Sequence, residues 1–147
     1  MSLKSWLRKG WLTEHRTSPD EIADLLRLVE RDIRESQIQG LTPDWRLNIA
    51  YNAALQAATA ALAACGYRAA REAHHLRVLR SLEFTIGADD NLIRQLDGFR
   101  KKRNISDYER AGLVSESEAQ EMLLAALDLR DKVIDWLKKH HPELLGE

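Results

Sequence analysis

One cysteine in 147 residues, Cys65, excludes an internal disulfide and fits a reducing compartment, so the cytoplasm is the expected location. Three prolines and seven glycines leave few chain breakers, and long regular segments follow. A formal net charge of -1 excludes a molecule that attracts nucleic acid or anionic membranes as a whole, so a polyanion site must be local. Lys4, Arg8, Lys9 and Arg16 resemble the charged start of a signal peptide, but no apolar run of about 7 to 15 residues follows them. Asn48, Asn52, Gln56 and Thr59 interrupt the most apolar stretch, Leu47 to Cys65, so no membrane association is expected. There is no glycine-rich phosphate loop, no Gly-x-Ser-x-Gly elbow and no usefully spaced pair of acids, which disfavours standard nucleotide and serine hydrolases. No cofactor and no metal site is implied. No window alternates with period two and β-branched residues are sparse, so strands are not expected.

Helical signals are abundant instead. Hydrophobic residues make up 44% and charged residues 31%, enough for a single core in a chain that buries roughly two thirds of its unfolded surface. Trp6, Leu7, Trp11 and Leu12 suggest a short helix within a separate N-terminal segment, residues 1–17. Ser18-Pro19-Asp20-Glu21 combines an N-cap serine, proline at the first helical position and an acid three residues after the cap; the helix it opens runs to Gly40. Thr42-Pro43 repeats the signal for an alanine-rich helix ending at Cys65, whose small side chains suit a central position and a face toward a second subunit. Tyr67 to Ile86 reads as a third long helix, with His75, Leu79, Leu82 and Ile86 in phase. A fourth starts at Asp89 or Asp90, and a last one opens at Ser115-Glu116-Ser117-Glu118 and closes at Pro142. The expected fold is all-α, an antiparallel up-and-down helical bundle of four long helices plus a short N-terminal helix. The bundle domain spans 18–142, followed by a tail, 143–147.

Phe99-Arg-Lys-Lys-Arg-Asn-Ile-Ser-Asp-Tyr108 is the most informative segment. Leu92, Leu96, Phe99 and Arg103 fall on one helical face, so a guanidinium extends a core-facing stripe. That group keeps its charge and needs acceptors or a ligand, whereas Arg100, Lys101 and Lys102 are explained by the helix macrodipole at a C-terminus. From Asn104 to Val114 periodicity lapses, which reads as a connection. Arg68, Arg71, Arg77 and Arg80 are interleaved with acids and read as a solvated face. His74 and His75 diverge by about 100° on a helix, so one is expected to pack and the other to face solvent.

Arg103-Asn104, a short polar spacer, Asp107-Tyr108, Val114-Ser115, Glu118-Ala119 and the helix ending in Trp136-Leu137-Lys138-Lys139-His140-His141-Pro142 resemble the C-terminal half of a HEPN domain (higher eukaryotes and prokaryotes nucleotide-binding). The likeness extends over about residues 20–142 in helix order. It implies a dimerising bundle with the arginine motif at the dimer cleft. Many HEPN members are metal-independent RNases, often toxins paired with a minimal nucleotidyltransferase antitoxin. Their arginine and polar residue are followed, after four to six residues, by a histidine. Here those positions hold Tyr108, Glu109 and Arg110, and a phenol with a pKa of about 10 stays neutral at pH 7.

Three readings are ranked by that substitution. First comes a homodimeric HEPN-like module in which Arg100, Arg103, Asn104 and Tyr108 bind a nucleotide, RNA or a partner protein without efficient turnover. Second is a metal-independent endoribonuclease, with Arg103 and Asn104 at the catalytic site beside Asp107 or Tyr108 as the proton-transfer group. Third is a scaffold in which Arg103 ties the last connection to the bundle.

Overall fold

A computed structural model describes residues 1–108 and 113–146, with side chains left undescribed from 105 to 108. Among the described residues there are six α-helices and one two-stranded sheet. In chain order these are α1 (Leu3–Arg8), β1 (Leu12–Glu14), α2 (Pro19–Glu35), α3 (Pro43–Ala64), β2 (Tyr67–Ala69), α4 (His74–Arg80), α5 (Asp90–Tyr108) and α6 (Glu116–His140). Single 3-10 turns follow α4 and α6, at Ser81–Glu83 and Pro142–Leu145. Among the described residues no helix is long and apolar enough to cross a membrane.

The helix starts follow the sequence signals. Ser18 Oγ accepts from the Glu21 amide, Thr42 Oγ1 from Trp45 and Asp89 Oδ1 from Leu92, each satisfying an amide that the helix leaves orphaned. At α6 the capping box closes reciprocally, Ser115 Oγ with the Glu118 amide and Glu118 Oε1 with the Ser115 amide. α3 is the central element. It packs most extensively on α2 and α6, and more sparingly on α4 and α5. All nine of its alanines, at 50, 53, 54, 57, 58, 60, 61, 63 and 64, are buried inside this chain. They serve close approach between neighbouring helices of this chain. Between α2 and α3, buried Asp32 accepts from Gln56 Nε2 at 2.7 Å and pairs with Arg31 at 3.0 Å, so its charge is matched.

Three expectations fail. The third long helix, Tyr67 to Ile86, is a strand, a short helix and a 3-10 turn. Gly66, at φ +89, turns the chain out of α3 into β2. Strands do occur: Leu12 pairs with Ala69, Thr13 with Arg68 and Glu14 with Tyr67 in an antiparallel ribbon. Three residues are too few for period-two patterning to register. Finally, α5 continues through Asn104 to Tyr108, where a connection was expected; the backbone keeps its helical ladder through residues of modest propensity.

The ribbon also makes residues 1–17 part of the core. Trp6 and Leu12 are buried, and the Trp6 ring meets Trp11 at 5.6 Å and Phe84 at 5.3 Å, both edge to face.

Candidate functional site

The α5 stripe is oriented as its spacing predicts. Leu92, Leu96 and Phe99 are buried, and one turn further Arg103 is half-buried. Its acceptor comes from another helix: Arg103 Nε donates to Asn48 Oδ1 on α3. One helical turn along α3 from Asn48 lies Tyr51, wholly buried, with the Arg103 guanidinium 5.3 Å from its ring centroid. The Tyr51 hydroxyl in turn lies 3.4 Å from Nδ1 of His75, at the start of α4. Three helices thus contribute to one chain of polar contacts.

Electrostatics fixes the protonation states in that chain. Burial pushes the Tyr51 phenol up to about 12, more than the opposing pull of Arg103 and Arg100, so it keeps its proton. Burial also lowers the His75 pKa, and the positive charges of Arg103, His74 and Arg100 lower it further. A neutral imidazole accepts through Nδ1 only if Nε2 carries the proton.

Beside this chain lies an open cavity of about 290 Å³ lined by Ala73, His74, His75, Leu76, Arg100 and Asn104. Ala73 adopts a left-handed conformation, φ 49 and ψ 37, at a cost of roughly 1–2 kcal/mol, and delivers His74 and His75 as the first residues of α4. Arg100 Nε donates to Asp97 Oδ1 at 2.7 Å, and Lys101 Nζ lies 3.4 Å from Asp97 Oδ2. Burial raises the Asp97 carboxyl, but those hydrogen bonds and charges prevail and hold it below its usual range. Lys102 is drawn off to Glu118 at 3.1 Å.

Of the residues singled out in sequence, Arg100 and Asn104 line this cavity, and Arg103 lies against Asn48 and Tyr51. Asp107 and Tyr108 lie outside the residues whose side chains are described; their backbone places them one helical turn beyond Arg103 and Asn104. His74 and His75 are both half-buried, where one was expected in solvent. Arg77 leaves the basic face: its guanidinium stacks 3.8 Å from the Trp11 ring centroid. His140 and His141 lie against Trp136, at 6.0 and 4.9 Å between ring centroids. Among the described residues no group of three or more His, Cys, Asp or Glu side chains is placed to hold a metal ion.

Asn48, Tyr51 and His75 were not singled out as site residues from the sequence. The available signal was the Asn48–Tyr51 spacing, two polar groups one turn apart on an otherwise alanine-rich helix. The Arg100 guanidinium, the exposed Asn104 amide and the neutral His75 imidazole around this cavity can together hold an anionic oxygen group, since arginine binds phosphate or carboxylate through paired N–H donors. No protein-family model matches the chain, and comparison with curated proteins returns no significant relative.

Proposed function

We propose that the cleft between α4 and α5 binds the phosphate of a nucleotide or an RNA segment, and that the chain is a HEPN-like module without efficient turnover. The observation that carries this reading is the meeting of Arg100, Asn104 and His75 from two separate helices around one cavity, with Arg103 beside it, braced by Asn48 over the Tyr51 ring. A proposed up-and-down arrangement of the four long helices and a cytoplasmic setting go with it. So does self-association: Ile38, Trp45, Leu113 and Leu124 are exposed at 55, 59, 40 and 55%, large apolar groups that a second copy would cover. A minimal nucleotidyltransferase partner, as in toxin–antitoxin pairs, belongs to the same proposal.

The test is fluorescence anisotropy with a labelled RNA oligomer, competed by nucleotides. Arg103→Ala lowers affinity at least about tenfold, and binding weakens as salt rises because phosphate contacts release counterions. If the unsubstituted protein binds neither RNA nor nucleotide, the binding reading is wrong; if Arg103→Ala only lowers the melting temperature and leaves binding intact, Arg103 is a structural tie.

A second reading, metal-independent RNA cleavage, is favoured by one specific observation. His75 reaches the Arg103–Tyr51 contact from a different helix, and so offers a histidine that the linear motif lacks. Cleavage in the presence of a chelator, abolished by His75→Ala or by Tyr108→Phe, would support it and would say whether α4 or the end of α5 moves the proton.

A further inference from the structure

His74 lines a second cavity as well as the first. This one measures about 270 Å³, just under the roughly 300 Å³ at which pockets for drug-sized ligands begin, so it has room for one small ring system. Leu25, Leu62 and Val78 give it apolar walls, and Glu21, His15 and Arg68 give it polar groups.

Glu21 is the telling residue. As the acid three residues after an N-cap serine it is positioned to reach back and close a capping box, as Glu118 does on α6. Its carboxylate turns to the cavity side instead. There His15 Nε2 lies 2.7 Å from Oε1 and 2.6 Å from Oε2, and Thr17 Oγ1 donates to Oε2 at 2.9 Å. Burial raises this carboxyl, yet the hydrogen bonds of His15 and Thr17 and the charges of His15 and Arg68 outweigh it and lower its pKa. A carboxylate accepts about four hydrogen bonds, so these contacts leave acceptor capacity on Oε1.

We infer that the second cavity holds the base of a nucleotide whose phosphate lies at Arg100 and Asn104, an assignment that rests on the phosphate-cleft reading. A nucleobase has two apolar faces and an edge of N–H and carbonyl or ring-nitrogen groups. The apolar walls match its faces, Glu21 accepts from its N–H, and Arg68 offers donors to its acceptors. His74, common to both cavities, stands where the ribose joins the two parts.

Isothermal titration of the full chain with ribose 5-phosphate and with AMP, GMP, CMP and UMP tests this. The nucleotides bind at least about tenfold tighter than ribose 5-phosphate. Glu21→Gln, which keeps the side-chain shape, and Leu25→Trp, which fills the cavity, each bring that ratio close to one while the sugar phosphate binds as before. The retained sugar-phosphate binding also shows that the variants are folded. Nucleotides no tighter than ribose 5-phosphate in the unsubstituted protein, or variants that weaken both ligands equally, overturn the base site and leave the phosphate cleft standing. Binding of neither ligand to the unsubstituted protein overturns the phosphate cleft itself.

Discussion

Where it packs most, on α2 and α6, α3 is rich in buried alanine and carries one polar pair, Gln56 on Asp32; toward α4 and α5 it offers Asn48 and Tyr51, which hold a guanidinium and face an imidazole. The same helix therefore supports dense packing on one side and a polar constellation on the other. Close packing contributes stability in proportion to the apolar surface it removes from water. A polar constellation contributes less, because hydrogen bonds to protein replace hydrogen bonds to water, but it holds side chains in fixed positions and charge states. A site of convergent cations requires the second arrangement, and the first supplies the stability that lets it persist.

The largest expected effect breaks the packed side. Leu129, wholly buried on α6, becomes a cavity in Leu129→Ala, at a cost of about 2–5 kcal/mol in urea-induced unfolding, with RNA or nucleotide affinity kept wherever the protein remains folded. On the polar side Asn48→Ala removes an acceptor of the Arg103 N–H and costs less, about 1–3 kcal/mol, but it weakens ligand binding at the same time because the guanidinium loses a brace. Equal effects of the two variants on stability and binding would erase the distinction between the two sides.

The smallest effect is a dependence on pH. His75 has its pKa lowered from 6.5 in the fold, so the unfolded chain binds its proton first as the solution is acidified. Stability therefore falls as pH drops through 6.5 and levels off below the folded-state pKa. In His75→Gln that part of the slope is missing from melting temperatures measured between pH 7.5 and pH 5, by direct comparison with the unsubstituted protein. An identical slope in both proteins would mean that neither burial nor the neighbouring arginines shifts His75.

The same contrast explains what was legible in sequence. Starts at Ser18, Thr42 and Ser115 are local devices, each written within four residues, and the structure realises them. Arg103 was legible too, because helical phase is also local. Residues 67–86 were misread because β2 draws its partner from the distant β1 and α4 is only seven residues long, too short to impose a pattern. The neighbours of Arg103 were hidden for the same reason. Asn48, Tyr51 and His75 meet it through folding of separate helices, and no spacing within one element announces such a meeting. Asp107 and Tyr108 were legible as motif residues alone.

The β1–β2 ribbon also orders events in time. Its two strands bracket α2 and α3, so pairing Leu12 with Ala69 closes a loop that contains both helices. Such a loop is entropically costly until the enclosed helices have packed, which makes ribbon closure a late step in folding. His15, whose amide donates to the Gly66 carbonyl at 2.8 Å, links its local partner Glu21 to the β2 end of the ribbon. The second cavity, with walls from α2, α3, β2 and α4, therefore depends on a ribbon that forms only around packed helices.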